Sequence, residues 1–400
     1  MKEMGAQNNM NLENNAPLLG ILVRPKVCAG LPFAPQRYYQ SLTAAGSRLG
    51  VRVFVFALSW IHWRRRTVTG YAYDEASGEW KKGEFPLSGA IYDRAFYRTA
   101  AELRRHRILL RRLLQRSGVK LLGWGLGGKF EIYSMLSGDP VLKQRLPRTE
   151  RYSGPGSLQA WLGLYGEAIV KPEGGTHGKG VLHIRRSGAD RYIVRGRDGS
   201  NRPVAKISSG GKPMLEWIHS SMATRRPFLI QQYIPSATRS GEPFDIRALV
   251  QKDGQGKWRL TGAAARVGEA GGVTSNLHGG GTPREAADLL RQEYGAEQAE
   301  DVLRQIRDIA LRVPLLLERT HGPLLELGID FGVDRQGSIW LLEVNSKPGR
   351  TSFARLNDKR ARIAAVTRPI RYARYVLDRQ LGGQINEFDV KQGAFYKKFG

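Results

Sequence analysis

A chain of 400 residues is longer than one hydrophobic core usually spans, so two or three subdomains are expected. Its apolar and charged fractions are those of an ordinary globular protein, and no run approaches the roughly 18 uncharged apolar residues of a membrane helix. A single cysteine, Cys28, excludes an intrachain disulfide, while 63 Lys and Arg against 36 Asp and Glu give a net charge of +27 that favours anionic partners.

Residues 1–16 are polar and Asn-rich, with no apolar signal-peptide core, and read as a disordered lead-in to a protein that stays inside the cell. LLGILVRPK (18–26) opens the ordered chain as a strand. A helix follows over about 35–48, then the β-branched and aromatic strand VRVFVFALS (51–59). Residues 66–93 read as short strands separated by DEASGE and KKGEFP and ending at GAIYDR. Next comes an amphipathic helix carrying Arg104, Arg105, Arg107, Arg111, Arg112 and Arg116, which reads as a solvated face or a polyanion-docking surface. With KLLGW (120–124) it completes an α/β module over 17–125.

GWGLGGKF matches two nucleotide motifs in part. GxGxxG is present at Gly123, Gly125 and Gly128, without an acidic ribose partner; a P-loop start is present, with Phe130 where Ser or Thr must stand. The segment reads better as a connector. A second module spans 126–225, with a helix from Lys129, strands AIVKP and VLHIRR, and a hairpin from YIVRG to PVAKIS. The third, 226–382, holds FLIQQYI, FDIRALVQ, WRLTGAAARV, a long helix from Pro283 to about Thr320, a hairpin and a C-terminal helix, with Pro314 and Pro369 as kink points; 383–400 is a tail.

Four constellations carry chemistry. In IDFGVDRQGSIWLLEVN, Asp330 lies on one strand and Glu343 and Asn345 on the next, joined by a turn at 334–337, with Leu342 and Val344 expected to point into a core. Two carboxylates and an amide on one face suit magnesium, and equally describe an ordinary polar hairpin face. AIVKPEGGTHGKG sets Lys171 at a strand end before Gly174, Gly175, Thr176, Gly178, Lys179 and Gly180, a lysine and a flexible loop suited to phosphates. Gln231 and Gln232 offer amides to an adenine edge, with Ile234 to pack on the ring. Arg247 and Arg266 stand inside apolar strands, where an anion must meet them unless Asp245, two residues away on the same face, pairs with Arg247; SNLHGGG follows with Asn276.

The order and types of these parts resemble the ATP-grasp superfamily, and within it the endospore-coat-associated YheC/YheD group, from LLGILVRPK to the C-terminal helix. The resemblance implies an α/β (α+β) ATP-grasp fold: a preATP-grasp domain, a central lid subdomain and a C-terminal subdomain clamping ATP between the last two. It implies Lys129 and Lys171 on the nucleotide, residues 174–180 as the lid loop, and Gln231, Gln232 and Ile234 as the adenine hinge, where many relatives carry Glu for the first Gln. It further implies Asp330, Glu343 and Asn345 on one or two Mg2+ ions (Mn2+ fits the same donors), and Arg247, Arg266 and Asn276 at the reacting group. The implied activity is an ATP-dependent carboxylate–amine or carboxylate–thiol ligase working through an acyl phosphate. The alternative is a spore-associated assembly protein that binds ATP without turnover. The arginine excess leans toward an anionic substrate, spore-coat components are expected partners, and no motif reads nucleic acid.

Overall fold

A computed structural model describes residues 16–381 apart from 35–36, 88, 98, 176–177, 189, 223–226, 274, 276–280 and 355–357. Thr176 and Asn276 therefore lie outside the described residues.

The first sheet contains β1 (Leu18–Leu22), β2 (Arg52–Phe56), β3 (Ile61–His62), β4 (Thr67–Asp74), β5 (Glu79–Pro86), β6 (Ala90–Asp93) and β7 (Lys120–Leu121). Its order is β3-β4-β2-β1-β6-β7, with β5 on β4; β2, β1, β6 and β7 are parallel and the others antiparallel. Buried parallel strands need cover on both faces. Leu19, Ile21, Val53 and Val55 meet the helices Arg37–Arg48 and Lys359–Leu381, while Leu18, Leu22, Phe54 and Phe56 meet Ala100–Ser117. KKGEFP, expected to separate strands, lies inside β5, because its residues pair along β4 from Thr67 to Ala72.

The second sheet is antiparallel: β8 (Thr149–Arg151), β9 (Glu167–Pro172), β10 (Leu182–Arg186), β11 (Arg191–Arg197), β12 (Pro203–Ser209) and β13 (Phe228–Gln231), in the order β12-β11-β10-β9-β13-β8. Helices Pro155–Tyr165 and Gly211–Ser221 cover one face through Leu158, Trp161 and Ile218.

The third sheet, also antiparallel, runs β16-β15-β14-β17-β18 from β14 (Phe244–Lys252), β15 (Trp258–Val267), β16 (Thr282–Glu285), β17 (Glu326–Val333) and β18 (Ile339–Asn345). The expected single helix from Pro283 is instead β16, which pairs with β15, followed by helices Ala286–Tyr294 and Ala296–His321. Gly295, at φ +85°, breaks the two apart. The helices run on through Pro314 and Pro369. Ile132 and Leu136 of the helix Lys129–Ser137 join this third core, so that helix bridges the second and third sheets.

Candidate functional site

Alternation along β14 and β17 turns Ile246, Ala248, Ile329 and Phe331 toward the helices and leaves the opposite face polar. On that face the register sets Arg266 opposite Asp245, Arg247 opposite Asp330, Asp330 opposite Glu343, and Gly328 opposite Asn345. The turn that fixes this register closes with Gly337 N–H donating to the Asp334 carbonyl at 2.9 Å, Gly337 standing at φ +80°. The ladder slips between Asp330 and Phe331, and this bulge sends Leu341, not the expected Leu342, into the core beside Val344. Leu342 lines the cleft instead. Its side chain and that of Ile234 both stand 3.4 Å from where a Cβ on Gly332 would lie.

Asp330 is buried, and two arginines hold its carboxylate. Arg247 donates to both oxygens, its Nη2 at 2.8 Å from Oδ2, and Arg266 Nη2 lies 3.0 Å from the same oxygen. Arg266 also forks onto Asp245 at 2.6 and 2.7 Å, and the Ser275 hydroxyl donates there too. Arg247 thus takes Asp330 rather than Asp245, because residues directly opposite across an antiparallel pair stand closest. Burial alone would raise the Asp330 carboxyl pKa; Arg247 and Arg266 outweigh it and hold the group below the usual carboxylate range.

Asp330, Glu343 and Asn345 offer a donor set of two carboxylates and an amide oxygen, which fits a hard divalent cation. Glu343 is the more accessible acid, its side chain 28% exposed, with Lys129 Nζ at 3.9 Å. Among the described residues no group of three or more His, Cys, Asp or Glu could hold a metal ion.

The second sheet supplies the opposite wall. Lys171 is buried at the end of β9, where its Nζ donates to Gln231 Oε1 at 2.7 Å; Gln231 Nε2 donates to Thr149 Oγ1 at 2.8 Å, and that hydroxyl donates to the Pro147 carbonyl at 2.9 Å. The chain of bonds gives a buried ammonium the acceptor it requires. Burial pushes Lys171 down to about 8, the Lys129 charge adds to the shift, and Glu343 and Asp330 oppose it. Gln232 Oε1 likewise accepts from the Arg148 N–H at 3.2 Å, so both glutamines have partners within the protein. Beyond β9 the loop turns through Gly175 at φ +136°, Gly178 at +72° and Gly180 at +73°, with Gly174 and Lys179 exposed. Together the walls flank a cleft open to solvent, lined by Lys129, Lys171, Gln231 and Glu343 among apolar Ile132 and Leu229.

Reading the sequence alone missed Thr149, and it set Asp245 against Arg247 where the fold sets it against Arg266. Thr149 carries no local signal and matters only because β8 pairs with β13. The connector 123–128 threads tightly, Trp124 N–H donating to the Pro323 carbonyl at 2.9 Å and Leu126 N–H to Ser346 Oγ at 2.9 Å.

Two antiparallel sheets closing on a lysine-bearing cleft, beside a mixed α/β layer, together with the family match, define an ATP-grasp protein. The solved structure of the D-cycloserine synthetase DcsG superposes with a TM-score of 0.53 at 15% identity, covering 90% of this chain and 99% of that one. A profile described as YheC/D-like ATP-grasp matches residues 118–376, more than half of the chain, and the chain belongs to that family. Two Bacillus subtilis (strain 168) relatives are similar over most of their lengths. Endospore coat-associated protein YheD is 26% identical over 91% of this chain and 80% of its own; endospore coat-associated protein YheC is 26% identical over 86% and 93%.

Proposed function

We propose that the protein is an ATP-dependent ligase that activates a carboxylate as its acyl phosphate and passes the acyl group to an amine or thiol. The observation that carries this reading is the cleft itself. Lys171 comes from the second sheet, Lys129 from the helix that bridges the two sheets, and Glu343 from the third sheet, whose polar face also carries Asp330, Asn345, Arg247 and Arg266. A substrate carboxylate oxygen attacks the γ-phosphorus, the bond to the β,γ-bridging oxygen breaks, and ADP leaves. A nucleophile then adds to the acyl carbon and expels phosphate. Lys171 and Lys129 neutralise phosphate oxygens, the loop 174–180 covers them, and Ile234 and Leu342 form an apolar seat for the base. Asp330, Glu343 and Asn345 would hold magnesium, which supplies charge neutralisation on the phosphates. Arg247 and Arg266 can redirect N–H donors from Asp330 to the transferring group.

The relatives' names support a setting at the spore coat, with coat components as partners. ADP release is measured while carboxylates, amino acids and acidic peptides are supplied with and without a nucleophile. Release that requires both partners is expected, and Glu343→Ala is expected to lower it about 10²–10³-fold while leaving the fold intact. Tight nucleotide binding with no ADP release under any pairing would select the binding-only alternative. Undiminished ADP release by Glu343→Ala would remove that residue from the site.

A further inference from the structure

The helix Ala100–Ser117 packs Leu110 and Leu113 on the first sheet, on the face opposite the C-terminal helix, and turns its arginines outward. Arg104, Arg105, Arg107, Arg111 and Arg112 are exposed. The one acid of this helix, Glu102, is turned to Arg24 at 3.2 Å. The fold adds a second basic set. Arg64, Arg65 and Arg66, some forty residues earlier in the sequence and all exposed, come alongside through Trp63, whose ring lies 4.2 Å below the Arg112 guanidinium. Five exposed arginines on the helix thereby adjoin three on the turn beside it.

An ordinary solvated helix face mixes both signs of charge. Here Arg104, Arg107 and Arg111 stand at i, i+3 and i+7, a stripe of like charges that disfavours the isolated helix. Ile108, 67% exposed, sits four residues after Arg104 and four before Arg112, at the centre of the arginines, and Leu103, 38% exposed, flanks them. Guanidinium groups match phosphate oxygens in pairs. An apolar side chain projecting from their midst gains nothing against a phosphodiester backbone, whereas it is buried on entering the headgroup layer of a bilayer.

We propose that this surface docks the protein, reversibly and without insertion of a helix, on an anionic phospholipid membrane. Among the described residues no helix is long and apolar enough to cross one, so attachment is peripheral.

The test is co-sedimentation of the full-length protein with phosphatidylcholine vesicles, with and without phosphatidylglycerol, at about 0.15 M salt, where screening is already strong. Retention on phosphatidylglycerol vesicles alone is expected. Arg104→Glu, Arg105→Glu and Arg107→Glu combined should weaken it about 100-fold, and Ile108→Ser severalfold. The three positions are exposed and glutamate forms helix about as well as arginine, so circular dichroism and nucleotide binding should be unchanged. Equal retention on both vesicles, or retention unaltered by the triple variant, overturns the proposal. So does a silent Ile108→Ser accompanied by tighter binding to duplex DNA than to vesicles, which reassigns the surface to nucleic acid.

Discussion

Lys171 is a cation set where its proton is easily lost, held by one amide oxygen and pushed down to about 8 by burial. Its folded pKa lies below the roughly 10.4 of an unfolded lysine, so the unfolded chain binds more protons between those values and stability rises with pH across that window. On the proposed reading phosphate binding runs the other way, because it needs the ammonium. Nucleotide affinity measured by calorimetry should therefore stay level below pH 8 and fall by up to about tenfold per unit above it. Lys171→Met should bind about 100-fold more weakly and show no inflection. Gln231→Leu, which removes the acceptor, should move the inflection to lower pH. A wild-type profile flat to pH 10 would mean that Lys171 does not touch the phosphates. A glutamine in an apolar strand announces itself in the sequence, but nothing there says whether its amide faces a ligand or a lysine. That depended on β13 pairing between β8 and β9.

At the scale of elements, the hairpin β17–β18 was the most legible part, since a short turn ending in Gly337 fixes which residues face one another. The bulge that exchanges Leu341 for Leu342 left no comparable mark, because both positions carry the same residue type. The long helix after Pro283 was misread because Gly295 was one glycine in a helical pattern and because strand pairing claimed residues 282–285. In the connector, close packing requires the glycine at Gly123 and not at Gly125. A Cβ on Gly123 would stand 2.4 Å from the backbone nitrogen of Leu325, whereas one on Gly125 would meet only the Lys347 side chain at 3.7 Å. Gly123→Ala is expected to destabilise by about 1–3 kcal/mol in urea denaturation. Gly125→Ala should stay within about 0.5 kcal/mol. Equal effects would mean that the connector does not lie against the start of β17.

At the scale of the molecule, the first and third sheets meet around one carboxylate that no sequence pattern marked, because its partners are scattered over the whole chain. Glu326, at the start of β17 and fully buried, accepts from Tyr92 and from Arg94 Nη1 at 3.0 Å on the first sheet's side. Gln251 Nε2 of β14 donates at 3.0 Å, and Arg350 beyond β18 donates as well. Arg94 continues to the Pro348 carbonyl at 2.9 Å, and Arg350 to the Tyr38 hydroxyl at 3.0 Å. Burial would raise the Glu326 carboxyl pKa, but Arg350 and Arg94 prevail and hold it below its ordinary value. Its contribution to stability is therefore present above the unfolded carboxyl's pKa, near 4.3, and is lost as the pH falls through the lower folded value. Glu326→Gln keeps the shape and leaves two buried guanidinium groups without their shared counter-charge, which should destabilise by about 3–5 kcal/mol at pH 7. Because the charge joins two layers, hydrogen exchange should speed up together in β6 and β17, while β10 and β11 of the second sheet keep their protection. The variant's stability should also vary less with pH below 5 than the wild type's, since the group that titrates is gone. If only β17 loosens, the first sheet is held in place by the C-terminal helix instead, and the Glu326 network contributes little to joining the two layers.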